Sequence, residues 1–220
     1  MKTEPLSVPS AIFWAAAYLG VMLVYTGLDV AVWRKWFAGC SEWIGLAAAA
    51  VCSAGFLWLL RRRWPVELWS NVTPAGLLLA AACAIGAFLL LDCCLDPLLE
   101  RAFPKSEAAY QEALERLARS PAASLLRVCL LAPVVEEILM RGFVLDGLRG
   151  SCGAAGALLV SSLMFAVLHF NMVQTLSALV CGLGLGLLYL KTGSVFCCIL
   201  AHGGYNLLSY LAEILPRRNL

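Results

Sequence analysis

Charged side chains are scarce in this chain. Only 14% of its 220 residues are Asp, Glu, Lys or Arg, whereas 62% are hydrophobic and the mean hydropathy is +0.85. A soluble domain is about a quarter charged and about half apolar, so the composition excludes a water-soluble enzyme. The 16 basic residues exceed the 14 acidic residues by only two, which excludes the basic stripe typical of nucleic-acid binding. The expected partners are the lipid bilayer and membrane-associated protein or peptide.

Histidine is also scarce in the sequence. Its only histidines are His169 and His202, and its ten cysteines contain no C-x-x-C spacing of the kind found in zinc sites. We interpret most of these cysteines as small buried apolar residues, with Cys93 and Cys94 as the exceptions near a predicted membrane edge.

Long apolar runs predict three membrane spans in the first part of the chain. A hydrocarbon core of about 30 Å requires about 20 apolar residues in a helix, and residues 11–32, 43–60 and 75–91 form runs of this kind. Thr73 and Pro74 suit the N-cap and first position of the third helix. We expect residues 1–95 to form three lipid-facing scaffold spans.

Residues 96–121 have a different character. Phe103, Tyr110, Leu114 and Leu117 recur at helical spacing among acidic and basic side chains, which predicts one amphipathic surface helix. A solvated connector and a substrate-facing flap are both compatible with this pattern.

Four further apolar segments follow, at residues 122–145, 154–170, 173–190 and 195–215. The predicted fold class is therefore all-α: a polytopic transmembrane helical bundle of about seven to eight spans, in a single integral membrane domain covering residues 1–220. Arg61–Arg63 and Arg217–Arg218 predict opposite orientations under the positive-inside rule. The sequence indicates neither an orientation nor an oligomeric state.

One apolar segment carries two adjacent carboxylates, Glu136 and Glu137. An ionisable side chain inside a bilayer costs about 2.5 to 3.5 kcal/mol, so each one prompts a functional question. Arg141 lies four residues after Glu137, which favours an ion pair between them on one helix face. Glu136 is then left free to act as a general base, unless all three charges form one structural network.

The two histidines fall on two other predicted helices. Phe165 and His169 are four residues apart, as are His202 and Asn206, so each pair shares a helix face. Because all histidines and the only adjacent carboxylates lie on three helices of one bundle, we expect them to converge. Residues 122–215 are therefore the predicted catalytic bundle.

A zinc site and a serine or cysteine nucleophile are alternatives that would use some of the same residues. Two histidines with a glutamate are one way to bind catalytic zinc, although the H-E-x-x-H motif is absent. Ser161, Ser162 and Ser209 lack an evident acid to orient a histidine toward them, and Cys197 and Cys198 are offset in helical phase from His202. We expect no cofactor and keep zinc as an alternative.

Glycines accompany these motifs. Gly182, Gly184 and Gly186 allow close approach between membrane helices. Gly203 and Gly204, between His202 and Asn206, suit either close packing or room for a substrate backbone.

The ordered series Glu136-Glu137-x-x-x-Arg141, Phe165-x-x-x-His169 and His202-x-x-x-Asn206 resembles the motifs of the CAAX prenyl endopeptidase and bacteriocin-processing family, also called CPBP or Abi. That family contains intramembrane glutamate proteases, and the resemblance covers residues 122–215.

The resemblance implies that Glu136 and His169 activate water and that His202 and Asn206 stabilise the oxyanion. Glu137 and Arg141 would form a structural ion pair, and Phe165 would support the site. The implied activity is hydrolysis of a peptide bond near the membrane surface, in a membrane-associated or lipidated protein or peptide. The alternative is a catalytically silent membrane binding or bacteriocin-immunity protein of the same fold. The expected location is the inner membrane of a prokaryotic cell.

Overall fold

The computed structural model describes residues 5–37 and 39–214, which fold as eight helices with no strand among them. The helices are α1 (Val8–Trp36), α2 (Ser41–Arg63), α3 (Pro74–Ala102), α4 (Pro104–Ala118), α5 (residues 121–145), α6 (Asp146–Val167), α7 (Met172–Thr192) and α8 (Val195–Glu213). The all-α prediction is confirmed. Arg217 and Arg218, on which the orientation argument rested, lie outside the described residues.

Five of the described helices are long and apolar enough to cross a membrane, namely α1, α2, α3, α7 and α8. The chain is therefore an integral membrane protein. The other two apolar segments, α5 and α6, are not long and apolar enough as continuous helices. Helix α5 carries charged residues, and α6 is broken at Gly153, where φ is 69° and ψ is 172°. The count of seven to eight spans stays a prediction.

The predicted N-cap of the third span is confirmed. The Thr73 hydroxyl accepts a hydrogen bond of 3.0 Å from the Gly76 backbone amide, and Pro74 occupies the first turn of α3. The helix continues through Ala102, however, well past the boundary expected at residue 95. Asp96 therefore belongs to α3 and not to the connector.

The connector itself contains α4, which buries one face against the end of α8. Leu114 and Tyr210 form a small apolar cluster, with Tyr110 and Leu117 packed beside them. This one-sided burial follows from the apolar spacing along the helix. The position of α4 at a membrane surface stays a prediction.

Burial increases from the first helices toward the second half of the bundle. In the most apolar windows, half of the α7 residues are buried, against 17% of those of α1 and of α3. Large apolar side chains such as Phe13, Val24 and Leu78 are exposed on the first three helices. Because lipid is the solvent for such surfaces, these side chains face the bilayer.

Small residues bring the helices of the second half close together. A Cβ atom at Gly182 would lie 3.3 Å from the Ser162 Cα atom on α6, and one at Gly203 would lie 2.7 Å from the Cys129 carbonyl oxygen on α5. A Cβ at Gly204 would lie 3.2 Å from the Ala84 Cβ on α3, whereas Gly184 faces open space. Gly203 and Gly204 thus serve helix packing, which was one of their two expected roles.

Candidate active site

The two adjacent glutamates lie on a short α-helical turn of α5, Ala132–Glu137, between two π-helical segments, Arg127–Leu131 and Ile138–Leu145. Such wider turns are frequent at functional sites. The Glu137 side chain is fully buried, whereas the Glu136 side chain is 13% exposed. The two carboxylates therefore occupy different environments, as expected for neighbours about 100° apart on a helix.

Glu137 is the acceptor at the centre of a buried charge network. Its Oε1 atom lies 3.0 Å from Nη1 of Arg141 and 2.9 Å from Nδ1 of His202. Arg141, also fully buried, donates from Nη2 to the Gly182 carbonyl oxygen at 3.1 Å, and its guanidinium lies 4.8 Å from the centre of the Phe165 ring. This network joins α5, α6, α7 and α8.

His202 bridges the two glutamates. Because the Glu137 carboxylate can only accept, the contact at Nδ1 requires a proton on that nitrogen. The other nitrogen, Nε2, lies 4.0 Å from Oε2 of Glu136, beyond direct hydrogen-bond distance. The imidazole also packs edge-on to Phe165, with the ring centres 5.6 Å apart. His202 is therefore in contact on two sides, with Nε2 directed toward the Glu136 side.

His169 lies just beyond the end of α6. The prediction of a helix through residue 170 was wrong, because α6 ends at Val167. The next residues form backbone hydrogen bonds that span three residues instead of four, among them His169 N to Ala166 O at 3.0 Å. The side chain nevertheless folds back over Phe165, with the ring centres 5.1 Å apart, and Nδ1 lies 3.0 Å from the Phe165 carbonyl oxygen. A proton on Nδ1 leaves the Nε2 lone pair available.

Asn206 follows His202 by one turn of α8. Its Nδ2 atom donates to the Val128 carbonyl oxygen of α5 at 2.8 Å. An amide nitrogen carries two hydrogens, so a second donor remains beside this bond.

A cavity of about 350 Å³ connects these side chains. Glu136, Phe165, His169, His202 and Asn206 all line it, whereas Glu137 and Arg141 lie behind the wall. The structure thus brings the four predicted catalytic residues to one cavity and keeps the ion pair outside it. Their catalytic roles stay predictions.

Helices of the first half complete the cavity wall, which corrects their interpretation as plain lipid-facing scaffold. The residues they contribute are Tyr18, Met22, Tyr25, Ala49, Ser53, Leu91 and Asp96. Arg127 and Glu213, which lie outside the three motifs, line the same cavity. An ionisable residue within an apolar run indicates a candidate site position, and Asp96 and Arg127 are both residues of this kind.

Carboxylates on the α3 and α8 side of the cavity are paired with hydroxyl groups. Tyr205 donates to Asp92 at 2.9 Å. The Ser209 hydroxyl also donates to Asp92, and the Ser177 hydroxyl donates to Asp96. Tyr110 of α4 donates to Glu213 at 3.1 Å. Burial, and then the nearby Glu213 carboxylate, raise the pKa of Tyr110 above its usual range, so the phenol keeps the proton that ties α4 to α8.

The alternative chemistries find less support in the geometry. Within the described ranges, no group of three or more His, Cys, Asp or Glu side chains is arranged to hold a metal ion. Ser161 donates to the Met140 carbonyl oxygen at 2.8 Å and Ser209 donates to Asp92, so neither hydroxyl is directed at a histidine. Cys197 and Cys198 are fully buried.

Comparison with known proteins gave a match to a family model. No curated protein and no solved structure matches the chain. Residues 118–208 match the family model described as type II CAAX prenyl endopeptidase Rce1-like, and this segment contains all three motifs. The match confirms the resemblance drawn from those motifs over residues 118–208, which make up less than half of the chain.

Proposed function

We propose that this protein is a membrane endopeptidase in which Glu136 is the general base for attack of water on a peptide bond. One observation carries the proposal: Glu137 is occupied by Arg141 and His202, whereas its neighbour Glu136 faces the cavity. Of two adjacent carboxylates, one is committed to structure and the other is available for chemistry. The membrane location and the Rce1-like family match support a peptidase.

The reaction requires a base, two oxyanion donors and a place for the nucleophilic water. In the proposed site, water binds between the Glu136 carboxylate and Nε2 of His169, and gives its proton to Glu136 as its oxygen attacks the scissile carbonyl carbon. The carbonyl oxygen becomes the oxyanion. When the C–N bond breaks, Glu136 returns the proton to the leaving amine, so the base ends the cycle ionised as it began.

His202 and Asn206 are the proposed oxyanion donors. Nδ1 of His202 is committed to Glu137, so donation from Nε2 requires the doubly protonated imidazolium. With Glu136 and Glu137 ionised and Arg141 and His202 charged, the four side chains sum to zero. That neutrality suits a buried site, because unpaired charges are costly there. Asn206 supplies its second amide hydrogen.

The proposed substrate is a membrane-associated or lipidated protein or peptide, cleaved close to the membrane surface. The cavity supports this class because apolar groups such as Met22, Leu91 and Phe165 line it together with the polar ones. The expected inner membrane of a prokaryotic cell is part of the same proposal. The proposed chemistry uses no cofactor.

The proposal is tested by comparing membrane-protein N- and C-termini by mass spectrometry in cells that produce the native chain, Glu136→Gln or Glu112→Gln at matched abundance. Glu112 is exposed on α4, away from the cavity, so its variant controls for loss of one carboxylate. We expect termini that appear with the native chain and the Glu112 variant and are absent with Glu136→Gln. Identical termini in all three would favour the silent binding or immunity protein.

A further inference from the structure

We propose that a second pocket, at one end of the helical bundle, binds the phosphate group of an anionic phospholipid. The pocket has a volume of about 320 Å³ and lies where the end of α1, the start of α2 and the end of α4 meet. Arg34, Arg116 and Arg119 line it, and we call it the arginine pocket. Of the described residues, none lines both this pocket and the cavity that contains Glu136, so the proposal does not depend on the proposed function.

Two of the three arginines have no counter-charge from the protein. Glu112 precedes Arg116 by four residues and Glu115 precedes Arg119 by four, a spacing that favours ion pairs on a helix. Among the residues that the structure describes, however, neither arginine forms an ion pair, and both side chains line the arginine pocket instead. An unpaired guanidinium suits a phosphate group, which can accept two parallel hydrogen bonds from it.

The charges that line the arginine pocket are positive in sum. Arg34 is paired with Asp29, to whose Oδ2 atom it donates from Nε and from Nη2, both at 2.7 Å. A guanidinium carries five hydrogens, so Arg34 keeps further donors for a ligand. Glu42 is the one carboxylate among the described residues that line the pocket. Even with Arg34 neutralised by Asp29, two arginines face a single carboxylate, which favours an anionic ligand.

Aromatic side chains place the arginine pocket at the depth of the lipid head groups. Helices α1 and α2 are both long and apolar enough to cross a membrane, so the short segment that joins them lies at a membrane surface. Trp36 ends α1 and is 71% exposed, and Trp43 lines the pocket in the first turn of α2 and is 48% exposed. Tryptophan is enriched at the membrane interface, and basic pockets between membrane helices bind anionic head groups there. The position of the pocket therefore favours a lipid phosphate over a soluble one.

Helix α4 separates the arginine pocket from the cavity. Tyr110 and Leu114 of this helix line the cavity, whereas Arg116, and Arg119 just after the end of the helix, line the pocket. A phosphate group bound by these two arginines and by Arg34 would connect the end of α4 to α1. The bound lipid would thus hold one wall of the cavity in place.

The test measures the dissociation constant of the first lipid bound to the purified full chain, by native mass spectrometry in detergent. The probes are dioleoyl phosphatidylglycerol and dioleoyl phosphatidylcholine, which carry the same acyl chains. We expect a dissociation constant about 10- to 30-fold lower for phosphatidylglycerol. Arg116→Gln with Arg119→Gln should remove most of this preference. Arg61→Gln with Arg63→Gln, which removes two exposed charges at the other end of α2, should keep it, and Glu42→Gln should increase it.

Equal dissociation constants for the two lipids would overturn the proposal. A full preference in the Arg116 and Arg119 double variant would also overturn it, because the anionic lipid would then bind elsewhere. Displacement of phosphatidylglycerol by an equal concentration of inorganic phosphate would assign the pocket to a soluble phosphate and reject the lipid. Should the double variant fail to accumulate, Glu42→Gln decides the question with both arginines present, since an unchanged or weaker preference would count against the pocket. Peptide cleavage enters none of these measurements, so they leave the proposed peptidase reaction untouched.

Discussion

His202 contacts Glu137 through one ring nitrogen, at 2.9 Å, and faces Glu136 across 4.0 Å with the other. One imidazole thus connects the carboxylate that fixes the helices to the carboxylate assigned to chemistry. Each interaction has its own experimental signature, because loss of the first affects folding and loss of the second affects turnover.

Replacing Glu137 by Gln should destabilise the protein strongly. The change leaves Arg141 buried without its counter-charge, and breaking a buried pair in this way costs about 3 to 5 kcal/mol. Thermal unfolding in detergent should show a lowered midpoint and cells should contain less protein, whereas Glu112→Gln should resemble the native chain. The double variant Glu137→Gln with Arg141→Met should recover part of the loss. Native stability in Glu137→Gln would show that the pair is dispensable for folding.

Replacing Asn206 by Ala should lower kcat about 100- to 1000-fold with little change in KM, since an oxyanion donor acts mainly in the transition state. Loss of the bond to the Val128 carbonyl oxygen should reduce stability by only about 1 kcal/mol. Steady-state kinetics on a cleaved peptide separate these effects. A raised KM at unchanged kcat would instead make Asn206 a ground-state binding residue.

Two glycine substitutions should differ sharply in their effects on thermal stability and activity. Gly203→Ala places a methyl group 2.7 Å from the Cys129 carbonyl oxygen, whereas Gly184→Ala meets nothing within 4 Å. Separating α8 from α5 should cost about 1 to 3 kcal/mol and move His202 away from Glu136. We expect Gly203→Ala to lose thermal stability and activity and Gly184→Ala to keep both. Matching behaviour of the two variants would contradict the close-packing role of Gly203.

Proteolysis should resist metal chelators. Nδ1 of His202 is used by Glu137 and the Asn206 side chain bonds to the backbone of α5, so these two groups are committed to contacts other than a metal. Activity measured after prolonged incubation with 1,10-phenanthroline or EDTA should equal that of the untreated enzyme. Inhibition that added zinc reverses would support the zinc alternative.

The motif residues were predictable because each pair is local. A spacing of four residues places side chains on one helix face wherever that helix lies in the bundle. The ion pair between Glu137 and Arg141, predicted from this spacing, is therefore present in the structure. The same spacing does not predict the backbone conformation at His169, which lies beyond the end of α6. The apolar run continues through Phe170, so the end of α6 at Val167 has no clear stop signal.

The cavity walls were less predictable. The long apolar runs of α1 to α3 have apolar residues on all sides, so apart from Asp96 their composition does not indicate which face turns inward. Tyr18, Ala49 and Leu91 line the cavity because of how these helices pack against α5 and α8, which is a property of tertiary structure. The π-helical turns of α5 likewise have no periodicity in the sequence that separates them from an α-helix.

Helix α5 does not satisfy all the polar groups of its buried ion pair by itself. Arg141 finds one partner four residues away, but its second bond is to Gly182 of α7, and the other contact of Glu137 is with His202 of α8. Both partners follow α5 in the chain, so α5 is the least favourable segment to place in lipid until α7 and α8 have been synthesised. Helix α5 is thus expected to enter the membrane late, together with α7 and α8, which supply its partners.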